Sequence, residues 1–295
     1  MDASLRNFAR ADRDAVVELS RLAIARPELQ VGNPCWTTAE ELESEIADWE
    51  PPPEETLLVV EDGGAVVGLG GFELPRGFRH AELFGPLIAV ESRGHKLGAR
   101  LLEASIDQAR GRGAESLLGS VGTRNGAGRI LLERAGFRAR GRPQATFRLT
   151  PGEHRPLEGA PEGFGMRLAT QDDLLVAIRL YRECFPDGRF SDEVWREAIA
   201  NDAVYAGELD GQVVAVLSID PSDRWIYHVG VTESERKRGV GGVLLSQALE
   251  HYWERHPGQT LGLDVTVDNV PAVRLYRRQG FAPWLVLQTY ELSLT

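Results

Sequence analysis

The sequence predicts an α/β fold of two similar domains, each a mixed sheet flanked by helices. Segments with strand-like and helix-like apolar spacing alternate along the 295 residues. Four segments of the first half recur, in the same order, in the second half. A stretch rich in Pro and Gly, TPGEHRPLEGAPEGFG, separates the halves and has no apolar periodicity.

The repeat is clearest near the end of each half. NGAGRILLERAGF, starting at Asn125, matches NVPAVRLYRRQGF, starting at Asn269, and RGHKLGARLL matches RKRGVGGVLL. Earlier, VVEDGGAVVGLGGF matches AGELDGQVVAVLSI, and FARADRDAVVELSRLA resembles RLATQDDLLVAIRLYR. We therefore predict domains over 1–150 and 166–295, joined by a linker over 151–165.

The second half shows the expected order of elements, which the first half repeats. A strand runs into a helix, a second helix follows, and three strands lead to a glycine loop that opens a long helix. Asn269 is expected to cap the last helix and Gly280 to end it, between two further strands. The predicted strands and helices before the glycine loop cover 166–185, 191–200, 203–209, 212–219 and 224–231.

Composition excludes several classes of protein. The formal net charge is −11, which argues against a nucleic-acid surface, because such a surface needs a basic stripe. Apolar runs such as GQVVAVLSI have strand length and are too short to span a membrane. Cys35 and Cys184 are the only cysteines, too few for a disulfide framework or a four-thiolate zinc site. We expect a soluble, cytoplasmic protein without a bound metal.

The charge is unevenly divided between the halves. Residues 1–150 carry 19 Lys and Arg against 22 Asp and Glu, and the remainder carries 14 against 22. An acidic field in the second half would concentrate cationic substrates such as amines. General solubility is an equally good explanation.

The loop RKRGVG lies between a strand and a helix. Glycines let the backbone turn tightly and approach a ligand, and the free N–H groups of the following helix form a nest for an anion such as a pyrophosphate. Arg236 and Arg238 can add positive charge. The loop has neither GxGxxG spacing nor the GK[ST] of a P-loop, and a plain tight turn is the alternative interpretation.

The order strand, R-x-x-G-x-G, helix, strand, N-x-x-A-x-x-L-Y-x-x-x-G-F resembles the GCN5-related N-acetyltransferase (GNAT) superfamily. The resemblance covers nearly the whole chain twice, and VGVTESERKRGVGGVLL and VTVDNVPAVRLYRRQGF carry it most specifically. It implies tandem GNAT domains with mostly antiparallel mixed sheets. Mycothiol synthases are similar in this tandem architecture. They use an acidic residue on the strand before the second loop, where this chain has Trp225 to His228, so we do not assign that activity.

The resemblance implies a site for acetyl-CoA as co-substrate. In the family the glycine loop holds the pyrophosphate, and pantetheine lies where the preceding strand splays from the next one. The N–H at the Val229 position polarises the thioester carbonyl. The cofactor-binding residues implied here are Val229, Gly230, Val231, Arg236, Lys237, Arg238, Gly239, Val240, Gly241, Asn269 and Ala272.

Tyr276 matches the tyrosine that protonates the leaving thiolate; its alternative role is a core aromatic. The general base is not evident from the residues. Strand alternation would direct Trp225 and Tyr227 toward the cofactor and His228 to the other face. Tyr227 is therefore the second predicted catalytic residue, with water as the alternative proton route. Asp220, Asp223 and Asp264 are further candidates, although each is better explained as a turn or solvated residue.

The first half departs from the family pattern. Lys96 stands where the second loop has Gly239, so a side chain occupies a position where the backbone should approach phosphate. Leu132 replaces the tyrosine, and Pro86, which has no N–H, replaces Val229. Glu82 falls at a position that holds the base in some members. These losses predict a catalytically degenerate first domain, which would bind CoA, shape the acceptor pocket or only act as a scaffold.

We therefore expect an acetyl-CoA-dependent N-acetyltransferase whose second domain transfers the acetyl group directly to a primary amine of a small molecule. A peptide N-terminus or lysine is an alternative acceptor. The alternative function is a non-catalytic acyl-CoA-binding or sensing protein. The two domains would form a monomeric pseudo-dimer, or the chain would form a homodimer.

Overall fold

The computed structural model describes residues 3–75, 77–186, 188 and 190–295. The chain forms two compact units, residues 1–144 with 285–295, and residues 145–284. The helices are α1 Arg13–Ala25, α2 Ala39–Glu45, α3 Pro53–Thr56, α4 Leu97–Gly111, α5 Gly126–Arg134, α6 Leu174–Cys184, α7 Asp192–Ala200, α8 Val240–Arg255 and α9 Val270–Arg278.

The first unit contains a mixed, mostly antiparallel sheet. Its strand order is β1-β2-β3-β4-β5-β12, and only β4 and β5 among the described pairs run parallel. The strands are β1 Ser4–Asn7, β2 Leu57–Asp62, β3 Ala65–Glu73, β4 His80–Ile88, β5 Ser116–Gly122 and, at the end of the chain, β12 Ala282–Ser293.

The second unit repeats this arrangement. Antiparallel pairing links β7 to β8, β8 to β9 and β9 to β10, and β10 runs parallel to β11. The strands are β6 Arg138–Leu149, β7 Phe164–Leu168, β8 Val204–Leu209, β9 Gln212–Asp220, β10 Trp225–Val231 and β11 Leu261–Thr266. The α/β class and the mixed sheets predicted from the sequence are confirmed.

The compact units differ from the predicted domains in their last strands. Residues 145–149 of β6 belong to the second unit, whereas residues 285–293 of β12 belong to the first and pair with β5. The repeat identifies the duplicated segments but cannot tell which sheet each closing strand joins, because the two strands follow equivalent helices and strand pairing depends on residues that are distant in the sequence. The predicted linker also lies in the second unit, where Leu157 N–H donates to Ser246 Oγ at 2.9 Å.

An arginine–aspartate pair is repeated at the start of each unit. The Arg6 guanidinium donates to both carboxylate oxygens of Asp12, and that of Arg167 does the same to Asp173. Each aspartate also accepts from a backbone N–H three residues earlier. In both units the pair therefore stabilises the connection between the first strand and the first long helix.

None of the helices in the described part of the chain combines the length and apolar character needed to cross a membrane.

Candidate active site

The second unit has a gap between two parallel strands. Trp225 of β10 pairs with Gly262 of β11, and the structure gives no further pairing between these strands beyond that point. The first unit has the same geometry, since β4 and β5 pair from His80 to Glu82 and then part. The strand splay implied by the family resemblance is therefore present in both units.

The backbone of β10 directs polar groups into this gap. Thr232 N–H donates to Val214 O at 2.9 Å, and Val231 pairs with Ala215. Because antiparallel pairs alternate between bonded and non-bonded residues, the N–H groups of Val229 and Val231 point away from β9. By the same alternation Gly230 bonds to β9.

The missing side chain of Gly230 serves packing. A Cβ at this residue would lie 3.2 Å from Cys184 Sγ at the end of α6. Gly230 therefore allows α6 to approach the strand, whereas the side chains of Val229 and Val231 lie on the opposite face, toward Gly241.

The glycine loop below the gap has the tight conformation that the sequence predicts. Lys237 and Gly239 both lie in the left-handed region, with φ of 65° and 88°. Gly239 is the N-cap residue of α8, which places the unpaired N–H groups of the first helical turn at the loop. The Val240 side chain is buried, so this residue can offer a ligand only its backbone.

Gly241 keeps the base of the gap open. A Cβ on Gly241 would lie 3.0 Å from Val231 Cγ2 and 4.0 Å from Val229 Cγ1. Backbone can therefore approach the gap here only because the residue has no side chain. The splayed strands, the directed N–H groups and this cradle fit an extended arm that is joined to a pyrophosphate, as the pantetheine arm of acetyl-CoA is.

The loop arginines have partners within the protein. Arg236 Nε donates to Val231 O at 2.9 Å, and Arg238 forms an ion pair with Glu235. Glu183 Oε1 accepts from Glu233 N–H at 2.9 Å and lies 3.5 Å from Arg236 Nη2. Glu183 could not be found from sequence spacing, because its partners are about 50 residues away along the chain.

The last helix of the second unit begins at the predicted cap. Asn269 Oδ1 accepts from the N–H of Ala272 at 3.3 Å. Tyr276 on this helix is 8% exposed and packs against Phe281, with 5.7 Å between the ring centroids. Burial raises the pKa of the Tyr276 hydroxyl to about 12, so the phenol is protonated at neutral pH.

The predicted alternation along β10 is wrong at one point. Trp225 pairs with Asp220 and His228 with Ser218, and a bulge at Tyr227 separates the two pairs. Because Asp220 and Ser218 lie two residues apart, Trp225 and His228 share a face of the sheet. A bulge inserts one residue and therefore reverses the phase of the alternation after it.

His228 lies in an aromatic cluster on that face. The nearest rings belong to Phe190, Tyr181 and Phe185, at centroid distances of 4.6, 4.7 and 5.1 Å. Burial lowers the pKa of His228 to about 4, which agrees with a structural role. Tyr227 is 39% exposed, and its hydroxyl donates to Asp223.

The first unit has a similar gap that is lined by different residues. A cavity of about 390 Å³ follows the gap between β4 and β5, and Pro86, Ile88, Leu131 and Leu132 contribute apolar walls. Lys96 has φ 60° and ψ 13°, so it takes the left-handed conformation and the turn is kept. The side chain at this position therefore does not disrupt the loop.

Comparison with known proteins is consistent with this duplicated geometry. A model of the acetyltransferase (GNAT) family matches residues 22–137 and 174–281. These stretches contain both glycine loops, both parted strand pairs and both capped helices. The chain belongs to the acetyltransferase (GNAT) family. It is a tandem GNAT protein and an N-acetyltransferase.

Individual GNAT proteins resemble it over less than half, nearly all or all of its length. An N-alpha-acetyltransferase of Sulfolobus acidocaldarius is 29% identical over 146 residues, which cover 43% of this chain and 84% of that protein. The crystal structure of a GCN5-related N-acetyltransferase from Sphaerobacter thermophilus matches 99% of this chain and 96% of its own, with TM-score 0.78 and 20% identity. A tandem GNAT protein from the clavulanic acid biosynthesis pathway matches 100% and 99%, with TM-score 0.66 and 17% identity. At these identities the two structures support the fold alone.

Proposed function

We propose that the second domain transfers the acetyl group of acetyl-CoA directly to a primary amine. The observation that carries this proposal is the open edge of β10, where the N–H groups of Val229 and Val231 face a gap that ends at the glycine loop and the start of α8. Acetyl-CoA supplies an acetyl group activated as a thioester. The remaining steps belong to residues of the chain.

The cofactor-binding residues have distinct tasks in this proposal. Val229 N–H donates to the acyl oxygen, and Val231 aligns the amide-rich arm. Backbone N–H groups from Gly239 to Gly241 hold the pyrophosphate at the helix N-terminus. Arg236 holds the end of β10 through its hydrogen bond to Val231 O. The positive charge of Lys237 attracts the phosphate groups.

Tyr276 acts as the proton donor to the departing sulfur. A thiol has an ordinary pKa of about 8.5, and the pKa of Tyr276 is raised to about 12 by burial. Complete proton transfer to the thiolate is therefore uphill by about 3.5 units, or about 5 kcal/mol. Tyr276 is expected to stabilise the sulfur by hydrogen bonding as negative charge develops, and to complete the transfer only when the ligand alters its surroundings.

The first domain is non-catalytic in this proposal. Leu132 has no proton to donate and Pro86 has no N–H, so neither of the two groups assigned above has a counterpart there. Its cavity is large enough to hold part of an elongated ligand. The first domain then either binds a ligand without turnover or supports the second domain.

The acceptor is a primary amine that binds as a cation. The excess of acidic residues in the second half favours a cationic ligand, and a small-molecule amine is the first candidate. A peptide N-terminus is the second candidate, because the similar protein of Sulfolobus acidocaldarius is an N-alpha-acetyltransferase.

The test is Tyr276→Phe, with thiol release from acetyl-CoA measured against a panel of small amines and an alanine-initiated peptide. We expect kcat to fall about 10²-fold or more, with little change in the affinity for acetyl-CoA. Tyr205→Phe is the matched control, because Tyr205 is also buried and its pKa is also about 12. Equal loss in both variants, or no loss in Tyr276→Phe, would contradict the assignment. Binding of acetyl-CoA without turnover of any amine would favour the non-catalytic alternative.

A further inference from the structure

Asp264 lies on β11 just beyond the point where this strand parts from β10. It follows Gly262 by two residues and therefore shares its face. A Cβ on Gly262 would lie 2.1 Å from the Trp225 ring, so the indole covers that face. The Asp264 carboxylate consequently projects beside Trp225 at the mouth of the gap.

This face is opposite the one that meets the glycine loop. Val229 and Val231 direct their side chains toward Gly241 at the start of α8. Trp225 and His228 lie on the other face, where His228 packs against rings of α6 and α7. An acceptor that approaches the gap from the α6 and α7 side would therefore meet the face that carries Asp264.

Asp264 has one hydrogen-bond partner within the described residues. Thr146 Oγ1 of β6 donates to Asp264 Oδ1 at 2.6 Å, and no described cation forms an ion pair with the carboxylate. The side chain is solvent-accessible, yet surrounding protein atoms raise its pKa. A solvent-accessible carboxylate that has one oxygen without a described partner suits a cationic ligand.

The other two acidic candidates organise the turn before β10. Asp220 Oδ1 accepts from the backbone N–H groups of Ser222 and Asp223. Asp223 accepts from the Tyr227 hydroxyl. Both carboxylates therefore have structural partners that Asp264 lacks.

The first unit has a serine at the equivalent position. Ser120 of β5 lies 144 residues before Asp264, the same offset as between the two helix-capping asparagines. Its Oγ is 2.9 Å from Thr289 Oγ1, so the threonine contact is repeated without the carboxylate. In addition, Gly32 N–H donates to Ser120 O, and a Cβ on Gly32 would lie 2.7 Å from Ser120 Cβ. The chain itself covers this position in the first unit.

We propose that Asp264 binds the amino group of the acceptor and accepts its protons as the amide bond forms. This inference rests on the proposed function and adds the group that receives the amine. The acceptor class is a primary amine that reaches the site as an ammonium ion beside the Trp225 ring, where an aromatic face also favours a cation.

The proton balance closes with the residues already assigned. The ammonium nitrogen loses two protons through Asp264, one before attack and one as its lone pair forms the bond to the acyl carbon. The carbon–sulfur bond breaks with its electron pair on sulfur, and Tyr276 supplies one proton there and regains it from solvent. One proton is released per turnover.

The test is Asp264→Asn, which keeps the shape of the side chain and an acceptor oxygen for Thr146. The readouts are steady-state kinetics with the panel amine that the wild type uses best, and calorimetric affinity for acetyl-CoA. We expect kcat/KM for the amine to fall 10²–10⁴-fold, with the acetyl-CoA affinity changed less than twofold. Asp202→Asn is the matched control, since Asp202 is an exposed carboxylate paired with Arg255.

A second variant keeps the test valid if Asp264→Asn does not fold. Thr146→Val removes the hydrogen bond to Asp264 and leaves the carboxylate, so we expect kcat/KM to fall about fivefold, the equivalent of one hydrogen bond. Asp264→Asn within threefold of the wild type would overturn this inference and leave the proposed function intact. Absence of acetyl transfer by the wild type to every amine would instead overturn the proposed function.

Discussion

Protonation of His228 should control the acid stability of the second unit. The ring is 8% exposed and lies in an aromatic cluster, and its pKa is lowered to about 4 by burial. In the unfolded chain a histidine titrates near 6.5. Folding therefore favours the neutral ring, so stability is complete above pH 6.5 and is lost as the pH falls toward 4.

The magnitude follows from the two pKa values. Between pH 8 and pH 5 proton binding stabilises the unfolded state much more than the folded state. The free energy of unfolding therefore falls by about 2 kcal/mol over this range. Urea unfolding at pH 5, 6 and 8 should show this loss through tryptophan fluorescence, because the Trp195 ring lies 5.5 Å from His228.

The comparison with His228→Gln isolates this residue. His154, whose pKa burial also lowers, and Asp264, whose raised pKa has the opposite effect on stability, are present in both proteins. Their contributions therefore cancel in the difference. A loss of stability between pH 8 and pH 5 that is equal in the two proteins would refute the assignment.

Two further predictions concern stability. Asp173→Asn should lower the free energy of unfolding by about 1–2 kcal/mol at pH 7, because its hydrogen bond with Arg167 lowers the pKa of the carboxyl to about 2. Urea curves of variant and wild type should converge as the pH falls from 4 to 2, and a constant difference would contradict this reasoning. Lys96→Gly should raise the thermal midpoint, because a left-handed non-glycine residue costs roughly 1 kcal/mol, whereas Lys96→Ala should leave it nearly unchanged.

The sequence predicted most of the fold because its repeats carry local signals. Asn125 and Asn269 cap helices where the pattern places them, and the predicted hairpin in the second half is present. The assignment of the closing strands β6 and β12 to the compact units was not predictable, since the pairing partners of a strand are distant in the sequence.

The candidate site was predictable only in part. The glycine loop and Tyr276 follow from motif spacing. The bulge at Tyr227 could not be predicted, because no glycine or other turn residue lies there. The interpretation of Asp264 depends on its neighbours across the sheet, Trp225 and Thr146, which lie 39 and 118 residues away along the chain. These neighbours are brought to Asp264 by the tertiary fold, so residue spacing alone could not identify them.

Calorimetric titration with acetyl-CoA tests the central claim that the glycine loop of the second domain holds the co-substrate. The pair to compare is Gly241→Val, which fills the cradle beside Val231, and Gly98→Val, the equivalent change in the first unit. We predict that the wild type binds acetyl-CoA and that Gly241→Val loses a site that Gly98→Val retains. No binding by the wild type at millimolar acetyl-CoA, or unchanged binding by Gly241→Val, would contradict the account.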